Sequence, residues 1–347
     1  MENKITTIEI LRDKISAVLK KEVGGMNYCL LDLPNYYNPG DQLIWEGDAQ
    51  LAGDLPGNLK YSSSLHFLNP RMISEGDCIL LQGGGGFGDL YYKHQKFREY
   101  IVKNFPKNKI IILPSTIHFS NAENLEKSSK LFSQHSNLVI CARDEKSFKI
   151  LQENFKNNMK YLLPDTAFAI KDLNKTRNDA PLGKVLFLCR TDKEKGVAVE
   201  KNSLNFIENL EIFDWPTQKI PKLVLHMLVL KINIALLKFW KLFGLHWSKA
   251  NDVHGLIKFH SKERQIQSAV EFLSQYNLII TTRLHGHILA CLLGIPNIVL
   301  DNSYGKNKNF YDAWMQDNML NAHYANSPND VRDILLKNFP SIKILNV

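Results

Sequence analysis

No two of the five cysteines form a CxxC pair; Cys29, Cys78, Cys141, Cys189 and Cys291 are scattered along the chain. Most stand beside apolar residues, which favours buried, reduced thiols in a cytosolic setting over a disulfide frame. The N-terminal MENKITTIEI has no long apolar core, so a secretory signal is not expected there. The phosphate loop GxxxxGK[ST] is missing too, which argues against a nucleoside-triphosphate site of that kind. Acidic side chains are in deficit: 35 Asp and Glu face 43 Lys and Arg, a formal net charge of +8. Such a surplus suits acidic partners, namely phosphorylated small molecules, nucleic acid or an anionic membrane face. Nucleic acid is not expected, because the basic residues are dispersed and no nucleic-acid motif occurs.

What the chain does hold is a core. At 44% hydrophobic and 22% charged it has globular composition, and 347 residues suffice for two domains. Strands alternate with helices along most of the length. Expected strands include 27–33, 77–82, 109–113, 138–142 and 161–163, then 185–189, 278–281 and 297–300. Helices are expected over 5–23, from Asp41 as N-cap through Leu51, and over 121–133 and 265–276. A final helix at 328–338 turns Leu335 and Leu336 inward. This alternation predicts α/β architecture: two Rossmann-like domains with parallel sheets, facing a cleft as in the glycosyltransferase type B fold. The charged stretch 171–184 reads as the linker, with domains at 1–175 and 176–347. Pro221–Trp247 breaks the pattern. It is very apolar, yet Lys231, Lys238 and Lys249 share a helical face. A helix lying in a membrane interface and a core helix with solvent-facing lysines fit that pattern equally.

The segment NLIITTRLHGHILACLLGIPNIVL, residues 277–300, carries the densest chemistry. It reads as strand, turn, helix and strand, with Arg283, His285 and His287 where the strand hands over to the helix. Ligands in open α/β folds bind outside the carboxyl ends of strands, and helix N-termini favour anions. Arg143 and Arg190 also end strands. Converging arginines suit phosphate or carboxylate, and histidine suits proton transfer near neutral pH. In the first half, the glycine run Gly83–Gly86 lets backbone approach a ligand, or simply makes a tight turn. Asp89 and His118 are polar candidates there; Asp89 can equally cap a helix, and His118 can pack beside Phe119.

The segments DCILLQGGGGFGDLY, ICARDEKSF, LPDTAF, TTRLHGHILACLLGIP and LDNSYGKNKNFYDAW resemble, in order, the polysaccharide pyruvyl transferases. YNPGDQLIWEG, containing Asp41, resembles that family's N-terminal Asn-x-Gly-Asp motif. Residues 191–260 match nothing in it. The resemblance implies a type B glycosyltransferase-like fold. It implies transfer of pyruvate from phosphoenolpyruvate to two hydroxyls of one sugar as a cyclic ketal, with release of phosphate. No obligatory metal or cofactor is implied. The acceptor would be a glycan intermediate of capsule or exopolysaccharide synthesis, lipid-linked or free, reached in the cytoplasm or at the membrane face.

Carried onto this sequence, the resemblance places the donor on Arg283 and His285. On chemical grounds His285 is assigned as the acid, with Arg190 or Arg143 as second cation and Gly286 beside them. His287 either takes a direct part or, as buried histidines more often do, orients the loop or packs. Gly84, Gly85, Gly86, Asp89, His118 and Asp41 fall on the acceptor side. An alternative of another class is a nucleotide-sugar-dependent glycosyltransferase of the same fold, for which Asp301 is the evident ribose-binding carboxylate.

Overall fold

In a computed structural model of the chain, the described residues are 7–173, 183–190, 201–216, 220–243, 262–301, 305–315 and 321–345. They fall into two compact units, one built on Glu9–Ala169 with Gln218–Lys262, the other on Ile170–Thr217 with Glu263–Val347.

The N-terminal unit runs α1 (Thr7–Val23), β1 (Tyr28–Leu31), α2 (Pro39–Gly53), β2 (Leu59–Ser63), β3 (Cys78–Leu81) and β4 (Gly84–Gly88). It continues with α3 (Tyr92–Asn104), β5 (Ile110–His118), α4 (Ala122–Ser133), β6 (Leu138–Ala142), α5 (Glu145–Asn154) and β7 (Met159–Leu162). α6 (Ile220–Leu242) returns to it later. Strand order is β2-β1-β3-β5-β6-β7, with β4 on the far end of β5, and every pairing is parallel. Helices cover both faces, so β1, β3 and β6 are buried at every residue, which is why their sequences are continuous apolar runs. The C-terminal unit runs β8 (Val185–Leu188), β9 (Leu210–Phe213), α7 (Lys262–Leu273), β10 (Leu278–Thr281), α8 (Leu284–Leu293) and β11 (Asn297–Leu300). α9 (Lys306–Trp314), β12 (Ala322–Ala325) and α10 (Pro328–Asn338) complete it. Its sheet is also all parallel, in the order β12-β11-β10-β8-β9. Each unit is thus a Rossmann-like sheet, as expected.

Several details depart from expectation. The N-cap of α2 is Asn38, whose side chain accepts from Gly40 N at 3.1 Å; Asp41 lies inside the first turn. β5 does not stop at Pro114 but runs on to His118, because β4 pairs with its second half. The glycine run is therefore a strand, not a loop. In α10 Leu335 is buried while Leu336 is 63% exposed, since neighbours in a helix point about 100° apart. The apolar insertion, counted with the second half on sequence, groups with the N-terminal unit. Lys262, grouped with the same unit, pairs with Glu46 and sits 5.2 Å from the Trp45 ring. Along the chain the first unit gives way to the second between residues 169 and 170. Lys249 and residues 174–182 of the expected linker lie outside the described residues.

Candidate active site

In the C-terminal sheet the chain leaves β8 for β9 on one side, then crosses to β10 on the other. That reversal opens a crevice beyond the strand ends, where ligands of open α/β sheets bind. Leu188 and Thr281 lie opposite each other in the ladder. Arg190 and Arg283 each follow two residues later, so both arginines stand at the same level at this crevice. The backbone there is tightly held. Arg190 N donates to Thr282 Oγ1 at 2.9 Å, and Arg283 N donates to Thr281 Oγ1 at 2.9 Å. Thr281 Oγ1 in turn donates to Leu188 O at 3.1 Å.

α8 starts directly above. A Cβ on Gly286 would lie 2.5 Å from Leu188 Cδ2 and 2.8 Å from Thr281 Oγ1, so only glycine admits the helix this close to the strands. Arg283 is the N-cap residue and makes no capping side-chain bond. Its fork instead grips Asp214, just past β9: Nε to Oδ1, and Nη2 to Oδ2 at 2.7 Å. Asp214 was not singled out on sequence, because it lies in the stretch that matches no known motif. The pair fixes the plane of the guanidinium through a bidentate contact. At the far end of α8, Gly294 takes the left-handed conformation (φ 70°) and its N–H closes the helix on Ala290 O and Cys291 O.

His285 is half-buried in the first turn of α8. His287 is fully buried, its Nδ1 2.7 Å from Asn297 Oδ1, and its ring meets those of Phe310 and Tyr311 at 6.3 Å. Burial drives its pKa down to about 4. Direct donor contact for His287 is therefore not what the geometry favours; it is a neutral core ring tying α8 to β11 and α9.

Arg143 is held within the N-terminal unit. It is fully buried in the N-terminal unit, pairing with Asp165 through Nη1 and donating from Nε to Thr116 Oγ1 at 3.0 Å. Its fork is engaged in knitting β5 and β6 to the turn at 165. Arg190, not Arg143, shares the switch point with Arg283.

The N-terminal sheet has its own reversal, between β1 and β3. Asp32, the first residue past β1, is buried with φ at 67°, a conformation asparagine and aspartate tolerate better than most side chains. Its Oδ1 lies 2.8 Å from His94 Nδ1, and its Oδ2 3.4 Å from Arg98 Nη1. The buried Arg98 donates to Gly86 O and Gln82 O, both at 2.9 Å, which anchors the glycine strand. Gln82 Nε2 continues the network to Asp41 O at 3.0 Å. The Tyr36 ring stands edge-on to His94 at 6.2 Å. Asp41 Oδ2 takes bonds from Tyr36 Oη at 2.8 Å and Asn38 Nδ2 at 2.7 Å. Gly84, at φ 95°, lies under Ile44, where a Cβ would come within 2.8 Å of Cδ1.

Asp89 faces elsewhere. It accepts from Ser120 N, Ser120 Oγ, Asn121 N and Asn124 Nδ2 at the start of α4. Burial works to raise its pKa, and these bonds outweigh it, so the carboxyl is held below the usual range. That is a capping group rather than a base. His118 ends β5 and its carbonyl takes the Asp89 N–H at 3.2 Å. Sequence reading missed Asp32, His94 and Arg98 because their pairing spans 62 residues.

With this geometry in hand, similarity to known proteins decides the class. The polysaccharide pyruvyl transferase pattern matches residues 27–304. The chain belongs to the polysaccharide pyruvyl transferase family. It is 33% identical to the putative pyruvyl transferase EpsO of Bacillus subtilis, over 91% of this chain and 94% of that one. Pyruvyl transferase 1 of Schizosaccharomyces pombe is 27% identical, covering 82% and 69% respectively. Among solved structures, an uncharacterized protein of Klebsiella pneumoniae, KP1_0663, superposes with a TM-score of 0.56 at 22% identity, over 91% of this chain and 99% of that one. That last likeness supports the fold. As a member of the family, this pyruvyl transferase is a transferase of polysaccharide biosynthesis.

Proposed function

We propose that the donor is phosphoenolpyruvate, held at the β8/β10 switch point by Arg190 and Arg283. The observation that carries this is the placement of two guanidinium groups at one level on neighbouring strands, beneath the opening of α8. Phosphoenolpyruvate bears a carboxylate and a phosphate, and two cationic anchors suit both. His285 gives a proton to the methylene carbon, which becomes a methyl group and leaves C2 electrophilic. One sugar hydroxyl bonds to C2. The C2–O bond to phosphate then breaks with its electrons on oxygen, and the second hydroxyl closes the ketal. Of the two hydroxyl protons released, one restores His285 and the other leaves with hydrogen phosphate. The arginines offset charge on the departing phosphate. The reaction draws on no obligatory metal or cofactor.

The glycan acceptor belongs to capsule or exopolysaccharide assembly. α6 supports a membrane-face setting on the cytoplasmic side, with the acceptor lipid-linked. Val224, Leu225, Met227, Leu228, Phe239 and Leu242 are all exposed along it, with Lys231 and Lys238 exposed among them. The helix carries no acidic residue. An apolar surface of that extent with only basic charge suits an anionic lipid interface. None of the described helices is long and apolar enough to cross a membrane. Asp301, the carboxylate that the nucleotide-sugar alternative would use, has its Oδ1 accepting from Asn307 N at 3.2 Å and Lys308 N at 3.3 Å at the start of α9, which favours the phosphoenolpyruvate reading.

The test is direct. Purified protein mixed with phosphoenolpyruvate and a galactose- or mannose-containing acceptor should release phosphate and add the mass of the ketal to the acceptor. Turnover of a nucleotide sugar instead, with phosphoenolpyruvate untouched, would overturn the proposal.

A further inference from the structure

We infer that Asp214 is a positioning residue of the donor site: it holds the Arg283 guanidinium across the end of β8, with the Nη1 edge presented to an anion. This rests on the donor reading above, and every group it names belongs to the C-terminal unit.

Strand order makes the contact a long reach. β8 lies between β9 and β10, so Asp214 and Arg283 leave strands that are not neighbours. By ordinary strand spacing those strands run about 10 Å apart, a gap the pair closes only by each extending toward the other. The fork therefore lies over the carboxyl end of β8, beside the turn that carries Arg190. The ladders fix the level, since Leu188 pairs with Phe213 on one side and with Thr281 on the other. Asp214 follows one residue past that rung, and Arg190 and Arg283 two.

The carboxylate is itself held in place. Cys189 N donates to Phe213 O at 2.7 Å, which extends the β8/β9 contact to the residue before Asp214. Trp215 is buried at 5% exposure, and its N–H donates to Asp214 Oδ1 at 2.7 Å. Arg283 Nε donates to Oδ1 and Nη2 to Oδ2, the latter at 2.7 Å. A fork gripped on its Nε side has its plane fixed and its Nη1 edge turned away from the gripping carboxylate.

A purely structural ion pair looks different in this same chain. The side chains of Arg143 and Asp165 are 0% and 1% exposed. Those of Arg283 and Asp214 keep 13% and 15%, so solvent, and hence a ligand, can touch the pair. Nor is it a loose surface pair, because the Trp215 bond and the bidentate contact hold both partners. Charge supplies a further reason. Arg190 and Arg283 stand at one level, where like charges repel, and a fixed carboxylate beside them offsets that repulsion. Asp214 lies outside the segments that carry the family resemblance, and only the fold brings it here.

Removing the charge has two effects of opposite sign. Loss of a negative group strengthens the pull on an anion, but at a partly open site that gain is screened. Release of the fork frees a side chain of large rotamer entropy, which the donor must order again, and lets it swing away from Arg190. The second effect is the larger, so the anion binds more weakly.

The experiment uses the full chain and Asp214→Asn, which keeps the shape and removes the charge. Isothermal titration with phosphoenolpyruvate should give a Kd about tenfold above wild type, with KM for the glycan acceptor within about twofold. In an Arg283→Lys background, which has no fork to orient, Asp214→Asn should change that Kd by less than about twofold. NMR of the arginine Nε–H groups gives a readout that needs no turnover. The Arg283 signal should exchange slowly with water in wild type and quickly in Asp214→Asn. Unchanged or tighter phosphoenolpyruvate binding in Asp214→Asn overturns the inference, as does an equal loss in the Arg283→Lys background. A wild type that ignores phosphoenolpyruvate but binds inorganic phosphate, with the same weakening by Asp214→Asn, sinks the donor reading and leaves Asp214 in its role.

Discussion

Arg190 and Arg283 leave adjacent strands at the same rung, two residues past the Leu188–Thr281 pair, and the Thr282 hydroxyl ties the two turns together. Arg143, which ends a strand with an equally suggestive sequence, is locked to Asp165 in the other unit. Replacing each arginine should therefore do opposite things. Arg190→Ala should lower kcat/KM for phosphoenolpyruvate by about 100-fold, a loss of roughly 2–3 kcal/mol for a charge-assisted contact, with the melting temperature within a few degrees of wild type. Arg143→Ala should instead cost about 3–5 kcal/mol of stability, because Asp165 would be left as a buried, unpaired charge. Kinetics and denaturant titration on both variants check this, and a reversed outcome would return Arg143 to the donor site.

For His285→Ala the expectation is loss of turnover with the fold intact. Far-UV circular dichroism and the melting curve should match wild type. Retained turnover would remove His285 as the acid.

His287 offers a test through pH. Its folded pKa of about 4 lies below the unfolded value near 6.5, so the unfolded chain binds the proton more readily. The associated stability is fully present above pH 6.5 and is lost as pH falls toward 4. The change amounts to about 3 kcal/mol from 2.5 units. His287→Gln should flatten that part of the curve; an unchanged curve would show that the ring is not sealed as described.

Asp48 should behave in the contrary sense. It is buried at 3% exposure, and burial lifts its carboxyl to about 8, with the nearby Asp165 charge adding to the rise. The folded protein keeps this proton when the unfolded one has lost it, so stability drains away as pH rises from about 4 to 8. Asp48→Asn should stabilise the protein at pH 8, by upwards of about 1 kcal/mol, and should do little at pH 4. Equal effects at both pH values would contradict the burial of this acid.

The α6 surface can be tested with vesicles. Binding to liposomes containing anionic lipid should weaken with added salt and with Lys231→Glu plus Lys238→Glu. Indifference to both would leave α6 as a helix whose lysines merely face water.

Some of this was visible in the amino acids and some was not. Residues 278–300 were legible because β-branched and apolar runs, a glycine stop at 294 and a following proline mark strand, helix and strand with little ambiguity. LKYSS at 59–63 was not: β2 is an edge strand with only its second half buried, so it lacks the apolar run of its neighbours. The glycine strand was illegible because glycine is depleted in strands; its pairing with β5 is secured from outside, by Arg98 and by close backbone approach. The pairing of Arg143 with Asp165 and the shared rung of Arg190 and Arg283 were not legible, because local spacing encodes neither. Asp214 lies inside residues 191–260, which carry no clear pattern on sequence, and only the Arg283 fork reveals it.

Where β4 meets the end of β5, main chain rests on main chain. Gly88 holds φ at 126°, and a methyl group in place of its hydrogen would sit 1.7 Å from His118 O. Even alanine would prise the seam open, and the strain would not stay local, because the next residue fastens the first turn of α4. One carbon atom added at this joint would thus loosen a helix more than thirty positions downstream, making residue 88 a hinge pin disguised as a spacer.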